Sequence, residues 1–368
     1  MRGLSFLYFT HLLDKIFTLE KINTLILFSL IQIFRTFAGM KIVEMDCYAA
    51  NPGDISWEPW KNIALPDGGV CDFVMYERTA PELVVERAKG ADMVITNKVM
   101  FSREVMEALP ELRYIGVLAT GYNVVDIAAA KERGIVVTNI PAYSTQSVAQ
   151  LAIAHLLHIT NNVAEHDRVV HEGGWTRNAD FSFWVSPQRE LAGKTFGVVG
   201  LGNTGTATAR IAAAIGMKVL AFSSKGEHEM KGLGIEDIRK ATTIGELFSQ
   251  SDVVSLHCPL TETTKHIVNK TTLGLMKSDA ILLNTGRGPL IDEQALADAL
   301  NEGRIYAAGI DVLTEEPPRN GSPLLTARNC YITPHIAWAT LASRERLMQI
   351  AIENIKAFLR GEPQNVVQ

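Results

Sequence analysis

Cysteine is scarce and scattered. Cys47, Cys71, Cys258 and Cys330 form no Cys-x-x-Cys pair and cluster with no histidine. That spacing excludes a disulfide framework and a paired-thiol zinc site, and no metal is expected. Free thiols fit a reducing, cytoplasmic setting. Positive charge is not in surplus either: 35 Lys and Arg stand against 40 Asp and Glu, a net charge of −5. The chain therefore lacks the basic excess that displaces counterions from nucleic acid. There is no internal repeat and no low-complexity tract. Long apolar runs are missing too: Ile22–Phe34 is broken by Asn23, Thr24, Ser29 and Gln32, short of the roughly 20 apolar residues a membrane-crossing helix needs. No small-residue cleavage site follows, and Arg35 stands where one would be wanted. No stable membrane insertion is expected. Residues 1–39 read best as an extension from an over-called upstream start, outside the fold, ahead of the readings as a membrane-surface helix or a poor signal peptide, with Met40 opening a first strand.

What is present is ordinary globular composition, 47% hydrophobic over 368 residues, enough chain for two cores. From Met40 onward short β-rich runs alternate with helical patterns, which implies parallel sheets. The first set of strands is expected at Lys41–Met45, Met93–Thr96, Tyr114–Ala119 and Ile135–Asn139. Between them "APELVVERAKG", "SREVMEALP" and "VVDIAAAKERG" read as helices closed by glycine or proline. A long helical stretch, residues 144–174, follows. It is apolar on more than one face, with Val148, Leu151, Ala152, Leu156 and Ile159 available to this chain's core. A second face suits a subunit interface, and a homodimer through this helix is expected.

A second alternation begins at Thr195, with strands "TFGVVG", "KVLAFS", "VVSLHC", "AILLNT", "AAGIDVL" and "CYITP". This is the doubly wound pattern. The final helix, after the last strand, is expected to return to the first domain. The organisation is then 40–140 with 335–368 as one α/β domain, and 141–334 inserted as a second. Two crossings suggest a hinged cleft.

Within the second alternation, Gly200-Leu201-Gly202-Asn203-Thr204-Gly205 fits G-x-G-x-x-G, directly between the strand "FGVV" and the helix "TATARIAAAIG". Gly200 permits the turn, Gly202 lets a pyrophosphate approach the backbone, and Gly205 lets helix and strand pack closely. The acid that usually binds the adenine ribose should end the next strand. Ser223, Ser224 and Lys225 stand there instead, so NADP(H) competes with NAD(H) as the cofactor. Hydride chemistry on an alcohol also needs a base and, for an acid substrate, a cation. Arg287 in "LLNTGRGPLID", Asp311 with Glu315 and Glu316 in "GIDVLTEEPP", and His335 in "YITPHIAWAT" each follow a strand, where clefts open in such sheets.

"GVLATGYNVVD", "GLGNTG", "HCPLT", "NTGRGPLID", "GIDVLTEEP" and "PHIAWAT" occur in order across nearly the whole chain. From Met40 onward the sequence thereby resembles the D-2-hydroxyacid dehydrogenase family, most nearly its glycerate dehydrogenase and hydroxypyruvate reductase branch. The resemblance implies a flavodoxin-like substrate domain with an inserted Rossmann domain. It implies that Arg287 grips the carboxylate and carbonyl of a small 2-oxo acid, that His335 is the acid/base, and that Glu316 supports it, with Glu315 a bystander. It implies cofactor contacts from the glycine loop including Asn203 and Thr204, from His257, Cys258 and Pro259, and from Thr285, Gly286 and Asp311, the last facing the nicotinamide. Substrate contacts are implied for Lys98, for the backbone of Ala119, Thr120 and Gly121, and for Trp338. D-stereochemistry rests on the resemblance alone.

The implied activity is reduction of hydroxypyruvate, or glyoxylate, to D-glycerate or glycolate. A 3-phosphoglycerate dehydrogenase is the alternative within the class, weakened because little chain follows the last helix in which to build a regulatory domain. A dinucleotide-sensing corepressor is the alternative outside it, and the reactive trio argues against that.

Overall fold

A computed structural model describes residues 39–66 and 68–367; the rest of the extension expected over 1–39 lies outside the described residues. Among the described residues, no helix is long and apolar enough to cross a membrane.

The chain divides into two compact units. The first takes the described residues up to Pro141 and resumes at Met348. Its five parallel strands are β1 (Lys41–Glu44), β2 (Asp72–Met75), β3 (Met93–Thr96), β4 (Tyr114–Val117) and β5 (Val136–Thr138), in the order 2-1-3-4-5. That order is flavodoxin-like. Strands β3 and β4 are buried at every residue, as strands covered on both faces must be. Strand β2 escaped the sequence reading. It is a short edge strand with none of its residues fully buried, so it carries no apolar run to betray it. The C-terminal part of the last helix, Leu341–Leu359, packs in this unit: Phe358 meets Tyr114 with ring centroids 4.8 Å apart. Asn354 Nδ2 donates to the Asn139 carbonyl at 3.0 Å.

The second unit runs from Ala142 to Leu347. Its seven parallel strands are β6 (Thr195–Val199), β7 (Lys218–Phe222), β8 (Ile238–Lys240), β9 (Val253–Leu256), β10 (Ile281–Asn284), β11 (Ala307–Ile310) and β12 (Cys330–Ile332). Their order, 12-11-10-9-6-7-8, is the dinucleotide-binding order with one strand added at the edge. Successive residues alternate between two apolar layers. Val199, Leu256 and Leu282 face the helices Ile244–Gln250 and Glu293–Asn301, while Val198, Val253 and Leu283 face the helices Thr145–Asn161 and Asn203–Ala214. Edge strand β8 was also missed: "IRK" is three residues with two charges.

The second boundary falls inside the last helix, between Leu347 and Met348, and not before it at 334–335. Polar contacts hold the helix's opening turns to the second unit: Ser147 Oγ donates to Thr340 Oγ1 at 3.0 Å, and Arg346 Nε donates to the Tyr143 carbonyl at 3.0 Å.

The stretch 144–174 is two helices, Thr145–Asn161 and Val163–His171, because Asn162 takes a left-handed conformation at φ 49°. The first buries Ala149, Ala152, Ile153, Leu156 and Ile159, with Val148 and Leu151 half-buried. It lies against Asn203–Ala214, whose small Thr and Ala side chains let two helices approach closely. The second buries nothing.

Candidate active site

Strand β6 turns at Gly200, where φ is +95°, a region only glycine enters freely. A Cβ there would also strike the backbone of His257 and Cys258, 2.8–2.9 Å away. The loop after β9 therefore runs directly against the glycine loop. A Cβ on Gly205 would fall on the Gly200 carbonyl, whereas one on Gly202 would meet nothing within 4 Å. Gly202 precedes the helix Asn203–Ala214, and no side chain caps it. The first-turn N–H groups and the helix dipole are thus left for an anion. One further observation fits a bound dinucleotide: at the end of β10, the Thr285 hydroxyl is buried with no hydrogen-bond partner.

Around this loop, Ser223 and Lys225 are half-buried and Ser224 is exposed. The Lys225 amide donates to Ser223 Oγ at 3.2 Å, and Lys240 Nζ on β8 donates to the Lys225 carbonyl at 2.8 Å. His257 Nε2 lies 2.8 Å from Ser255 Oγ, and burial pulls the imidazole pKa down to about 4, so the ring is neutral near pH 7. Burial raises the neighbouring Cys258 thiol, which keeps it protonated.

Arg287, Glu316 and His335, the residues expected to carry the chemistry, sit on three turns. Arg287 follows β10 in extended backbone, its guanidinium exposed, with Nη1 donating to the Gly286 carbonyl at 2.8 Å. Asn284 shapes this turn: its Nδ2 donates to the Arg287 carbonyl at 2.9 Å, and its Oδ1 accepts the Gly286 amide at 3.0 Å. A Cβ on Gly288 would overlap the backbone of Leu313 and Thr314. The arginine turn therefore packs against the chain leading to Glu316. Glu316 Oε1 accepts the Leu313 amide at 2.8 Å, which leaves Oε2 to take His335 Nδ1 at 2.6 Å. Glu315 turns away and receives the Asn320 amide at 3.0 and 3.1 Å. The Trp338 indole donates to the His335 carbonyl at 2.9 Å, and its ring stands edge-on to Tyr143 at 6.5 Å. Burial pushes the Tyr143 phenol up to about 12 against the opposing pull of a hydrogen bond to Ser144 and the Arg287 charge. Arg287, Tyr143, Trp338, His335 and Glu316 thus form one neighbourhood.

Asp311, expected to face the nicotinamide, also braces the histidine turn: its carboxylate is 1% exposed and accepts hydrogen bonds at both oxygens. Oδ1 accepts the Thr333 hydroxyl at 2.6 Å and the Ile336 amide at 2.9 Å, and Oδ2 accepts the Ala337 amide at 2.9 Å. Its carbonyl accepts the His335 amide at 2.8 Å. His335 has φ +54°, a strained conformation for a side-chain-bearing residue, which persists only where its surroundings over-determine it. The Asp311 bonds supply that constraint. Neither Thr333 nor Tyr143 was picked out from sequence. The Thr-Pro pair before His335 was the available signal for the first; the second had none.

In the first unit, the Lys98 amide donates to buried Asp46 at 2.6 Å while its side chain is exposed. The Ala119 carbonyl accepts the Ile140 amide at 3.0 Å, and Thr120 Oγ1 donates to the Ile140 carbonyl at 2.9 Å. Gly121 is half-buried.

The sheet order, the uncapped glycine-loop helix and the Pro-flanked histidine turn belong to an oxidoreductase that acts on CH–OH groups with a nicotinamide dinucleotide. Residues 153–337 match the family described as D-isomer specific 2-hydroxyacid dehydrogenase, NAD binding domain. The chain is 50% identical over 331 residues to a hydroxypyruvate reductase of Blautia hydrogenotrophica, covering 89% of this chain and 99% of that protein. It is 39% identical over 300 residues to a glycerate dehydrogenase of Methylorubrum extorquens, covering 81% and 92%. Among solved structures, an acyclic imino acid reductase in complex with NADPH and D-Arg superposes with a TM-score of 0.75 at 32% identity, over 89% of this chain and all of that one. The chain belongs to the D-isomer specific 2-hydroxyacid dehydrogenase family.

Proposed function

We propose that this enzyme reduces hydroxypyruvate, and less readily glyoxylate, to D-glycerate and glycolate, with NADPH or NADH as donor. The observation that carries the reading is the His335–Glu316 pair at 2.6 Å. With Nδ1–H held by a carboxylate, the imidazole carries its exchangeable proton on Nε2, the arrangement a general acid needs. A nicotinamide dinucleotide held there would supply the hydride for the substrate's carbonyl carbon. His335 gives its Nε2 proton to the carbonyl oxygen, and Glu316 stabilises the charged ring before that transfer and keeps the tautomer afterwards. Arg287 offers a planar fork of donors to the carboxylate, and the exposure of its guanidinium keeps the donors not taken by the Gly286 carbonyl open to it. Trp338, anchored on the His335 carbonyl, limits the room for the substrate's third carbon.

The glycine loop and the uncapped helix Asn203–Ala214 would hold the pyrophosphate, and Thr285 would meet the cofactor with its unpaired hydroxyl. Two hydroxyls and a lysine in place of a carboxylate at Ser223–Lys225 favour a 2′-phosphate, hence NADPH, in a cytoplasmic enzyme working toward reduction. A homodimer through 144–174 is part of the reading. Val163 is 67% exposed, and Phe181 and Trp184, beyond that stretch, are 91% and 71% exposed, apolar side chains that a second copy would cover.

A steady-state assay of hydroxypyruvate, glyoxylate and pyruvate, each with NADH and with NADPH, tests the proposal. Hydroxypyruvate with NADPH should give the highest kcat/KM. Turnover confined to 3-phosphoglycerate oxidation would overturn the substrate assignment.

A further inference from the structure

One buried imidazole lies outside everything described so far. His155 is 5% exposed on the helix Thr145–Asn161. Its ring rests on β11 where Gly309 stands: a Cβ there would come within 2.7 Å of the His155 Cβ and 2.9 Å of its Cγ. Any larger residue at 309 would expel the ring. His155 Nε2 lies 3.0 Å from Thr333 Oγ1. The Thr333 hydroxyl spends its single proton on Asp311 Oδ1 at 2.6 Å, so it can only accept from the imidazole. His155 is therefore the Nε2–H tautomer. On its other side the ring lines an open cleft of about 460 Å³, with His158, Cys330 and Tyr331.

The bonds form one line. The imidazole N–H polarises the Thr333 hydroxyl, which strengthens that hydroxyl's bond to Asp311. Asp311 in turn fixes the amides of Ile336 and Ala337 and holds His335 in its left-handed turn. We propose that His155 is a positioning residue for the acid–base histidine, acting through Thr333 and Asp311. The inference rests on the reading of His335 as the acid. The titratable groups facing His155 are His158 on its own helix, Asp311 after β11, and Cys330 and Tyr331 on β12.

The test uses the full-length enzyme labelled with 15N-histidine. NMR should show His155 with its proton on Nε2, and Thr333→Val should shift that resonance. In steady-state assays His155→Leu should lower kcat about ten-fold, the size of one hydrogen bond's contribution, with the KM for the 2-oxo acid changed less than about two-fold. His155→Gln retains a donor and should recover most of the loss. The double variant His155→Leu/Thr333→Val should be no slower than Thr333→Val alone. Unchanged kcat in His155→Leu, a Gln variant no better than Leu, or additive losses would overturn the inference. So would an Nδ1–H tautomer, whatever the enzyme turns over. A wild type inactive on every 2-oxo acid yet carrying the Nε2–H tautomer overturns the activity reading instead.

Discussion

Glu316 Oε2 and His335 Nδ1 lie 2.6 Å apart, and the carboxylate's other oxygen is tied to the Leu313 amide at 2.8 Å. The carboxylate is held by backbone and the ring is held by the carboxylate. Replacing His335 with Gln should reduce kcat by roughly 10³-fold, within the range positioned acid–base groups supply. Glu316→Gln should lose roughly 10- to 100-fold and alter the pH–rate profile, because an amide can hold the ring but not its charge. A His335→Gln enzyme with full turnover would refute His335 as the acid.

Gly205 should be the least replaceable residue of the phosphate loop. Its Cβ would fall on the Gly200 carbonyl, a backbone atom that cannot swing away. Gly205→Ala is expected to weaken dinucleotide binding at least ten-fold in a fluorescence titration and to lower Tm by several degrees. Gly202→Ala meets open space, so it should leave Tm near the wild-type value and weaken only the dinucleotide.

Cofactor choice should turn on Ser223. Ser223→Asp places a carboxylate where a 2′-phosphate would lie, and the like charges repel. The KM for NADPH should rise at least ten-fold while that for NADH stays or falls. An unchanged NADPH preference would show that Ser223 does not meet the ribose.

Glu44 offers a pH test of stability. It is fully buried on β1, and burial followed by the charge of Asp46 raises its pKa well above the usual carboxylate range. In the unfolded chain the group loses its proton near pH 4.3, while the folded chain keeps it. As pH rises above that value the unfolded state binds fewer protons, so this residue's contribution falls with increasing pH. Glu44→Gln should therefore match wild type in Tm near pH 4 and exceed it at pH 8. A pH-independent difference would refute the assignment.

Residues 144–174, with the exposed Phe181 and Trp184 beyond them, should carry the self-association. Phe181→Asp with Trp184→Asp is expected to convert a dimer into monomers in sedimentation velocity, with the two-unit fold retained by circular dichroism. Wild type sedimenting as a monomer would refute the dimer outright.

Much of the architecture was legible because its signals are local. The buried parallel strands read as apolar runs, and the glycine loop reads as a strand, three glycines and a helix. Glu316 and His335 were nameable from their motifs. Strands β2 and β8 were not, since short edge strands with charged or half-exposed residues have no periodicity of their own and exist through pairing with β1 and β7. The break at Asn162 was hidden as well, because one left-handed residue between two helical patterns leaves the composition unchanged.

Residue order alone determined the alternation, the glycine loop between strand and helix, and which polar groups follow the strands, because each depends on neighbours a few positions apart. Tertiary structure alone decided that Asp311 is a buried bracket for the His335 turn, that Gly288 lets the Arg287 turn rest on the chain before Glu316, and that His155 reaches Thr333. Those are meetings of groups distant in sequence. Their pairing depends on which strands the sheet sets side by side, and nothing in the local pattern around a histidine reports which hydroxyl will lie 3.0 Å from it.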